Sequence, residues 1–339
     1  MTETVTDPIA QSNNPRQKVI MSGFGEPEPV LDGRGMFEYG YCPMMQDYYE
    51  YPFDIDAVSK LYRATSHHTS ALITKRNVLA SLYKPHPKLS RQAFIKLVTN
   101  LLVFDNAYVQ VVRNRLGGVL ELRAKLARNT RKSIIGDGYH HVDFRQALII
   151  EYNEQVIHIS NPDIDQELYG IPDYLSSVNA ITLNEAATLF RRKYYKNGAH
   201  AGYILHLSDP LSTPEDVDDL EQAVQESKGA GNFKNLFMYV PNGKPDGVKV
   251  IPLAEVAAKD EFANIKIASR DDTLAGHRVP PQLMGVVPNN AGGFGDAKKA
   301  AEVFYWHEIL PLQNMLLDIN EQVGETIITF NGYELVKSD

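Results

Sequence analysis

The sequence predicts an α+β fold, and three observations carry that prediction. Long stretches place apolar residues three and four apart, the period of amphipathic helices. Between about residues 107 and 160 the period shortens to that of strands, with a turn signal between the first two. Finally, 43% apolar and 22% charged residues over 339 positions suit a chain that buries a sizeable core, in one large domain or about two.

The same numbers exclude several classes. Global disorder does not fit this composition. No run approaches the roughly 20 apolar residues needed to span a bilayer. Residues Met1 to Pro15 are polar and lack the basic and apolar regions of a signal peptide, so the protein is expected to stay in the cytoplasm where it is made. The net charge of -8 argues against a clamp that grips nucleic acid along a broad basic face. It leaves room for a protein that lets DNA pass without holding it. The single cysteine, Cys42, cannot form an intrachain disulfide or a Cys-rich zinc site, and reads as an inert thiol.

Residues 1–45 read as a loosely structured arm, interrupted by prolines and glycines. Asp54 to Leu82 reads as helical, with Leu61, Leu72 and Ile73 in the periodic positions and Pro85 and Pro87 ending it. A second helix is expected from Ser90, a suitable N-cap, to Leu102, with Phe94, Leu97, Val98 and Leu101 on one face. Ala107–Val112 and Val119–Leu122 flank Asn114–Gly118 as a β-hairpin, and short strands follow at Ala147–Tyr152 and Val156–Ile159.

From Pro172 a helical pattern runs for about 28 residues. Tyr174, Leu175, Val178, Ile181, Leu189 and Phe190 form its apolar stripe, and Asn197-Gly198 stops it. A small α+β insertion comes next. Its parts are a strand at Tyr203–Leu207, the capping sequence Ser212-Thr-Pro-Glu215, an acidic helix to Ser227, and strands at Asn235–Val240 and Gly247–Ile251. Another long helix runs from Ala254 towards Leu274 and ends before Pro280-Pro281. The Gly-rich segment Gly285–Gly295 cannot be regular structure. A last strong helix is expected from Asp296 to about Val323, with Ala301, Phe304, Glu308, Leu312, Met315 and Leu316 along one side. Pro311 lies inside it and should kink it. Thr326–Phe330 and Tyr333–Val336 read as short closing strands.

Familiar chemistry is scarce. The Gly-rich run ends Gly295-Asp-Ala-Lys298, without the Gly-Lys-Ser/Thr of a phosphate loop. His307-Glu308 starts like a zinc-protease helix, but Leu310-Pro311 replaces the second histidine turn. The pairs His67-His68 and His140-His141 are adjacent, so their side chains point apart, and they read as structural or solvated. The acidic cluster Glu215, Asp216, Asp218, Asp219 and Glu221 reads first as a solvated helix N-terminus. The basic residues Arg113, Arg115, Arg123, Lys125, Arg128, Arg131 and Lys132 could meet phosphate, but more often such a set is a charged sheet face or pairs with acidic neighbours.

Several segments in order resemble one family. They are Leu102-Val-Phe-Asp-Asn-Ala-Tyr-Val109, Tyr169-Gly-Ile-Pro-Asp-Tyr-Leu175 and Arg192-Lys-Tyr-Tyr-Lys-Asn-Gly-Ala-His-Ala-Gly-Tyr-Ile204. Arg278-Val-Pro-Pro-Gln-Leu-Met-Gly285 before a Gly-rich loop, and a helix with an internal proline over Phe304 to Asn314, complete the set. Together, over roughly residues 50–325, the chain resembles the phage portal proteins, with the PBSX-type subfamily of contractile-tailed temperate phages the nearest.

That resemblance implies a portal-protein fold with named parts. A flexible arm would cover 1–45, a wing 46–170, a first stem helix 171–202, a clip 203–256, a second stem helix 257–284 and a tunnel loop 285–297. The kinked helix and a C-terminal wing or short crown segment would cover 298–339. It implies a ring of about twelve copies, a closed cyclic assembly with head-to-tail interfaces. Double-stranded DNA would pass through the centre, touched by Asn289, Asn290, Gly292, Gly293 and Phe294, with Lys298 and Lys299 just behind. The clip residues Glu215, Asp216, Asp218 and Asp219 would meet the large terminase subunit and later the head-completion (neck) proteins. Major capsid and scaffold proteins would surround the wing. No cofactor, metal, membrane or catalytic role is expected, and the protein would end in the virion after assembly in the host cytoplasm. The competing readings are a metal-dependent nucleic-acid-processing enzyme using the acidic cluster, and a head-tail adaptor that lines no channel.

Overall fold

The computed structural model describes residues 42–143, 146–196, 203–207, 248–252, 257–285 and 297–333. Its first helical stretch is two helices, α1 (Ile55–Leu61) and α2 (Ser66–Leu82), rather than the single run from Asp54 to Leu82. Two N-caps explain the break. Asp54 accepts from the N–H groups of Asp56 and Ala57, and Thr65 accepts from His68 N–H at 3.3 Å, starting a fresh helix. Thr69 Oγ1 then donates to the Tyr62 carbonyl at 2.6 Å, satisfying an orphan acceptor of α1. Helix α3 (Arg91–Phe104) is capped by Ser90 as expected and ends at Asp105, whose φ of 53° is left-handed.

Strand β1 (Asn106–Arg113) pairs antiparallel with β2 (Val119–Lys125) and with β6 (Val156–Ser160), giving the order β2-β1-β6. As the central strand, β1 has its first six residues buried. A second sheet, β3-β4-β5, consists of β3 (Thr130–Lys132), β4 (Tyr139–Asp143) and β5 (Leu148–Glu151). The first two of these strands were not legible in the sequence. β3 is three residues long and two of them are Arg131 and Lys132, which carry no strand signal.

The body has two apolar clusters. In one, α2, α3 and the β2-β1-β6 sheet pack with Phe304, Ile309, Leu316, Ile319 and Val323 from the last helices. Tyr83 and Phe94 stack there with ring centroids 3.9 Å apart, and Phe330 meets both edge-on. The other joins Tyr51, Phe53, Val58, Leu61, Leu72 and Tyr108 to Tyr174, Leu175, Val178 and Ile181.

The helix expected from Pro172 begins as a 3₁₀ turn, Asp173–Ser177, and continues as α4 (Val178–Lys196). Strands β7 (Tyr203–Leu207) and β8 (Val248–Pro252) pair antiparallel, and the segment between them, with its expected helix and strand at Asn235–Val240, lies outside the described residues. Helix α5 (Ala257–Gly276) returns alongside α4. Contacts between positions 177 and 276, and between 184 and 269, make the pair antiparallel. The α4–α5 seam is polar and close: Asn184 Nδ2 donates to Ser269 Oγ at 2.8 Å, and both residues are buried.

The last helical region is α6 (Ala297–Phe304), a π turn at Tyr305–Ile309, and α7 (Leu310–Val323). Pro311 is the second residue of α7. A proline ring crowds the carbonyl four residues back, here that of His307, and the wider π turn immediately before it is one of the ways a helix relieves that crowding. Thr326–Phe330 is not a strand. Asn320 takes the place of a neighbouring strand: its Oδ1 accepts from Ile327 and Ile328 N–H at 2.9 and 2.8 Å, and its Nδ2 donates to the Ile328 carbonyl at 2.8 Å. Only Phe330 makes a ladder bridge, to Tyr83. The expected strand at Tyr333–Val336 falls almost wholly outside the described residues.

Gly276 makes the α4–α5 approach possible. A Cβ there would lie 1.7 Å from Ser177 Oγ and 2.7 Å from Ser177 Cβ. Gly276→Ala should therefore cost about 1–3 kcal/mol, the usual cost of overpacking. In a thermal-melt double-mutant cycle, Ser177→Gly should couple favourably with it; simple additivity would show that the two do not meet.

Candidate functional site

Where the long helix pair joins the body, charged residues that the sequence keeps far apart meet in a chain that runs from buried Lys75 and Glu308 out to exposed Arg278 and Asp173. Glu308, on the π turn, is 5% exposed. Lys75 of α2 donates to its Oε2 at 2.7 Å. Arg278, two residues past α5, donates through Nε to Glu308 Oε1, and through Nη2 to Asp173 Oδ2 at 2.7 Å. The charges thus alternate Lys75, Glu308, Arg278, Asp173. Burial pushes the Lys75 ammonium down in pKa against the pull of Glu308. Arg278 holds its place with a left-handed φ of 54°, uncommon for a side-chain-bearing residue.

Beside this chain lies a cavity of about 120 Å³ lined by Lys75, Asp105, Asn161, Asp173, His277, Arg278, Glu308 and Pro311 among others. Asp105 is anchored by its own N–H to the Leu101 carbonyl at 2.8 Å and receives Asn161 Nδ2 on Oδ1 at 2.8 Å. Its Oδ2 has no hydrogen-bond partner among the described residues. Burial first, and then the charge of Asp173, push the Asp105 carboxyl up to about 8. Gly170 is required here, because a Cβ would sit 2.3 Å from the Asp105 carbonyl oxygen. Asn106 clamps that approach, accepting Gly170 N–H at 3.0 Å and donating to its carbonyl at 2.8 Å.

A ring cluster closes the inner side. His68 Nδ1 and His277 Nε2 are 2.8 Å apart, so one ring carries the shared proton. Tyr174 stacks on His277 and meets His68 edge-on, and its hydroxyl donates to the Val103 carbonyl. Burial lowers His68 to about 3 and His277 well below its ordinary value, so both rings are neutral at pH 7.

This arrangement is a joint. It ties the start of α4 (through Asp173 and Tyr174) and the end of α5 (through His277 and Arg278) to α2 and the π turn. Among the described residues no group of three or more His, Cys, Asp or Glu side chains is placed to hold a metal ion, and no helix is long and apolar enough to cross a membrane.

The sequence pattern of the family described as "Phage portal protein" matches residues 57–331. The chain belongs to the phage portal protein family. It is 46% identical over 312 residues to a protein of Escherichia phage P2 named "Probable portal protein", covering 92% of this chain and 91% of that one. A protein of the same name from Haemophilus phage HP1 is 36% identical over 305 residues, covering 88% and 86%. Solved structures share the fold. One is the neck of a native gene transfer agent particle computed with C12 symmetry, with TM-score 0.57 and 18% identity, covering 81% of this chain and 83% of that one. Another is the crystal structure of an HK97 family phage portal protein from Corynebacterium diphtheriae, with TM-score 0.56 and 14% identity, covering 80% and 94%.

Within this portal-family fold, Lys298 and Lys299 are exposed in the first turn of α6. Pro311 lines the cavity of the joint. Asn289, Asn290, Gly292, Gly293 and Phe294, and the acidic residues Glu215, Asp216, Asp218 and Asp219, lie outside the described residues. The basic cluster at 113–132 is largely paired. Arg131 is fully buried against Glu50 with its guanidinium over the Tyr51 ring, Arg128 meets Asp56, Arg123 meets Glu121, and Lys132 meets Asp137. Cys42 lies 3.6 Å from Gln166 Oε1, with its thiol pushed up to about 11 by burial first and by Asp163 second, away from reactivity. The joint itself was missed. Its one legible signal was Glu308, a carboxylate standing in the apolar stripe of the last helix.

Two measurements probe the joint. Removing the Glu308 charge strands a buried lysine, so Glu308→Gln should destabilise the protein by about 3 kcal/mol. Lys75→Met combined with Glu308→Leu should restore most of that loss in denaturant melts. The second concerns Asp105. Its folded pKa lies above the unfolded value of 3.8, so its contribution to stability is full below pH 4 and is lost as pH rises towards 8. Asp105→Asn does not titrate, so the variant's melting temperature should gain on the wild type steadily between pH 4 and 8.

Proposed function

We propose that this chain is the subunit of a PBSX-type portal ring, through which double-stranded DNA enters and leaves the capsid at one vertex. The observation that carries the reading is the likeness to the P2 protein along nearly the whole of both chains, in a protein named for that role. A structural neighbour from a particle neck computed with C12 symmetry supports a homo-oligomeric ring. On this reading the α+β body is the wing, α4 and α5 are the stem helices, and residues 203–256 are the clip. The segment 285–297 is the tunnel loop facing DNA. Terminase docks on the clip during packaging and head-completion proteins replace it; capsid and scaffold proteins surround the wing. The protein acts in the virion after assembly in the host cytoplasm, and the reading assigns it no catalytic chemistry.

A passive conduit gains from weak contacts, because every phosphate neutralised adds salt-sensitive affinity that opposes sliding. Net charge -8 and a loop rich in Asn and Gly suit that demand. Mass photometry of the purified protein should give a species near twelve times 38.0 kDa. Replacing Gly292 and Gly293 with proline should leave these rings intact and cut DNA packaging several-fold. Monomers or dimers alone would overturn the ring; loss of assembly without a separate packaging defect would remove the loop's assignment.

A further inference from the structure

The two three-stranded sheets have four edges, and the described residues pair with or shelter three of them. Along β2, Leu122 N–H donates to the Lys88 carbonyl at 2.8 Å. Along β3, Tyr49 N–H donates to the Lys132 carbonyl at 2.9 Å, and Tyr48 bridges to Ser133. β6 has no strand on its outer side either, but none of its residues is exposed and α7 packs beside it. No other described strand pairs with the outer side of β5.

Among the described residues this edge has no backbone partner, and it is apolar on both faces. Leu148, Ile149 and Ile150 are 37%, 48% and 49% exposed. The β4 register sets Ile149 opposite buried Val142, while Leu148 and Ile150 stand opposite Asp143 and His141 on the other face. An unbroken apolar run is the pattern of a strand covered on both faces, not of an edge left in water. Tyr152 N–H donates to the Tyr139 carbonyl, which fixes the phase of the ladder. The backbone groups of Ile150 then face β4, and those of Ile149 and Glu151 face outward. Ile135, 81% exposed, sits on the turn between β3 and β4, and Glu151 leans against Gly138 of that turn.

An edge of this kind templates the addition of another strand and is a hazard unless one partner always covers it. A closed ring supplies such a partner, since every subunit meets the same neighbour head-to-tail and no copy is left with a free edge. We infer that the β5 edge, Leu148–Glu151, is a contact strand covered by a second copy of this chain, which adds backbone to its outer side. The inference rests on the ring reading above.

Ile149→Pro tests it selectively, because it removes an N–H that points away from β4 and leaves the internal ladder in place. Ile150→Lys tests the apolar face. Each variant should lower the fraction of rings in mass photometry at least tenfold, while circular dichroism and the melt of the dispersed subunit match the wild type. Hydrogen exchange on wild-type protein gives an arm free of mutation: the Ile149 and Glu151 amides should be protected in rings and exchange fast in dispersed subunits. Variants that form normal rings, or rings with both amides still fast, would overturn the inference alone. Variants that form normal rings but lose capture by capsid or scaffold protein would overturn it in favour of a different occupant. Wild-type protein that forms no ring would overturn the portal reading and this inference with it.

Discussion

A buried carboxylate with two cations is the constraint around which the described structure is arranged. Glu308 lies below the surface, where an unpaired charge would cost several kcal/mol. Lys75 and Arg278 together answer it, and they come from positions 233 and 30 residues away. Satisfying it forces α2, the end of α5 and the π turn into one place, and Asp173 adds the start of the first long helix. Such pairs contribute little net stability against an apolar replacement. Their effect is directional: few other packings of these elements leave Glu308 paired.

The surrounding geometry follows from that meeting. Two side-chain-bearing residues, Asp105 and Arg278, take left-handed backbone conformations to turn the chain into the joint. Gly170 and Gly276 supply the close approaches that a Cβ would block. The π turn puts Glu308 just ahead of Pro311, so the irregular part of the helix and its buried charge share the same few residues. The neutral pair His68 and His277 packs against Tyr174 in the space that remains. In the proposed ring, with α4 and α5 as stem helices and the body as wing, this joint would lie between them, where relative movement of those parts would have to pass.

The two small sheets show the same economy. Most basic residues of the 113–132 segment have acidic or carbonyl partners, as on a charged sheet face. Described residues pair with or shelter three sheet edges, and a run of three exposed apolar side chains marks the fourth. No strand among the described residues covers that run; a neighbour in the inferred ring would.

The sequence by itself determined the α+β class, the positions of the long helices, the first hairpin, the Ser90 cap and the family. Each is a local pattern: a period, a cap, a glycine or proline, or a run of residues in order. Sequence also overreached where local pattern ignores competition. Thr65 started a second helix within one apolar period, and the Asn320 amide replaced the strand that Thr326–Phe330 would have needed. Only the tertiary structure decided the joint. Lys75 and Glu308 are 233 positions apart, and nothing in either neighbourhood announces the other. In the sequence Glu308 is one charged member of an otherwise apolar stripe; the cost of burying its charge is answered by side chains that only folding brings within hydrogen-bond reach.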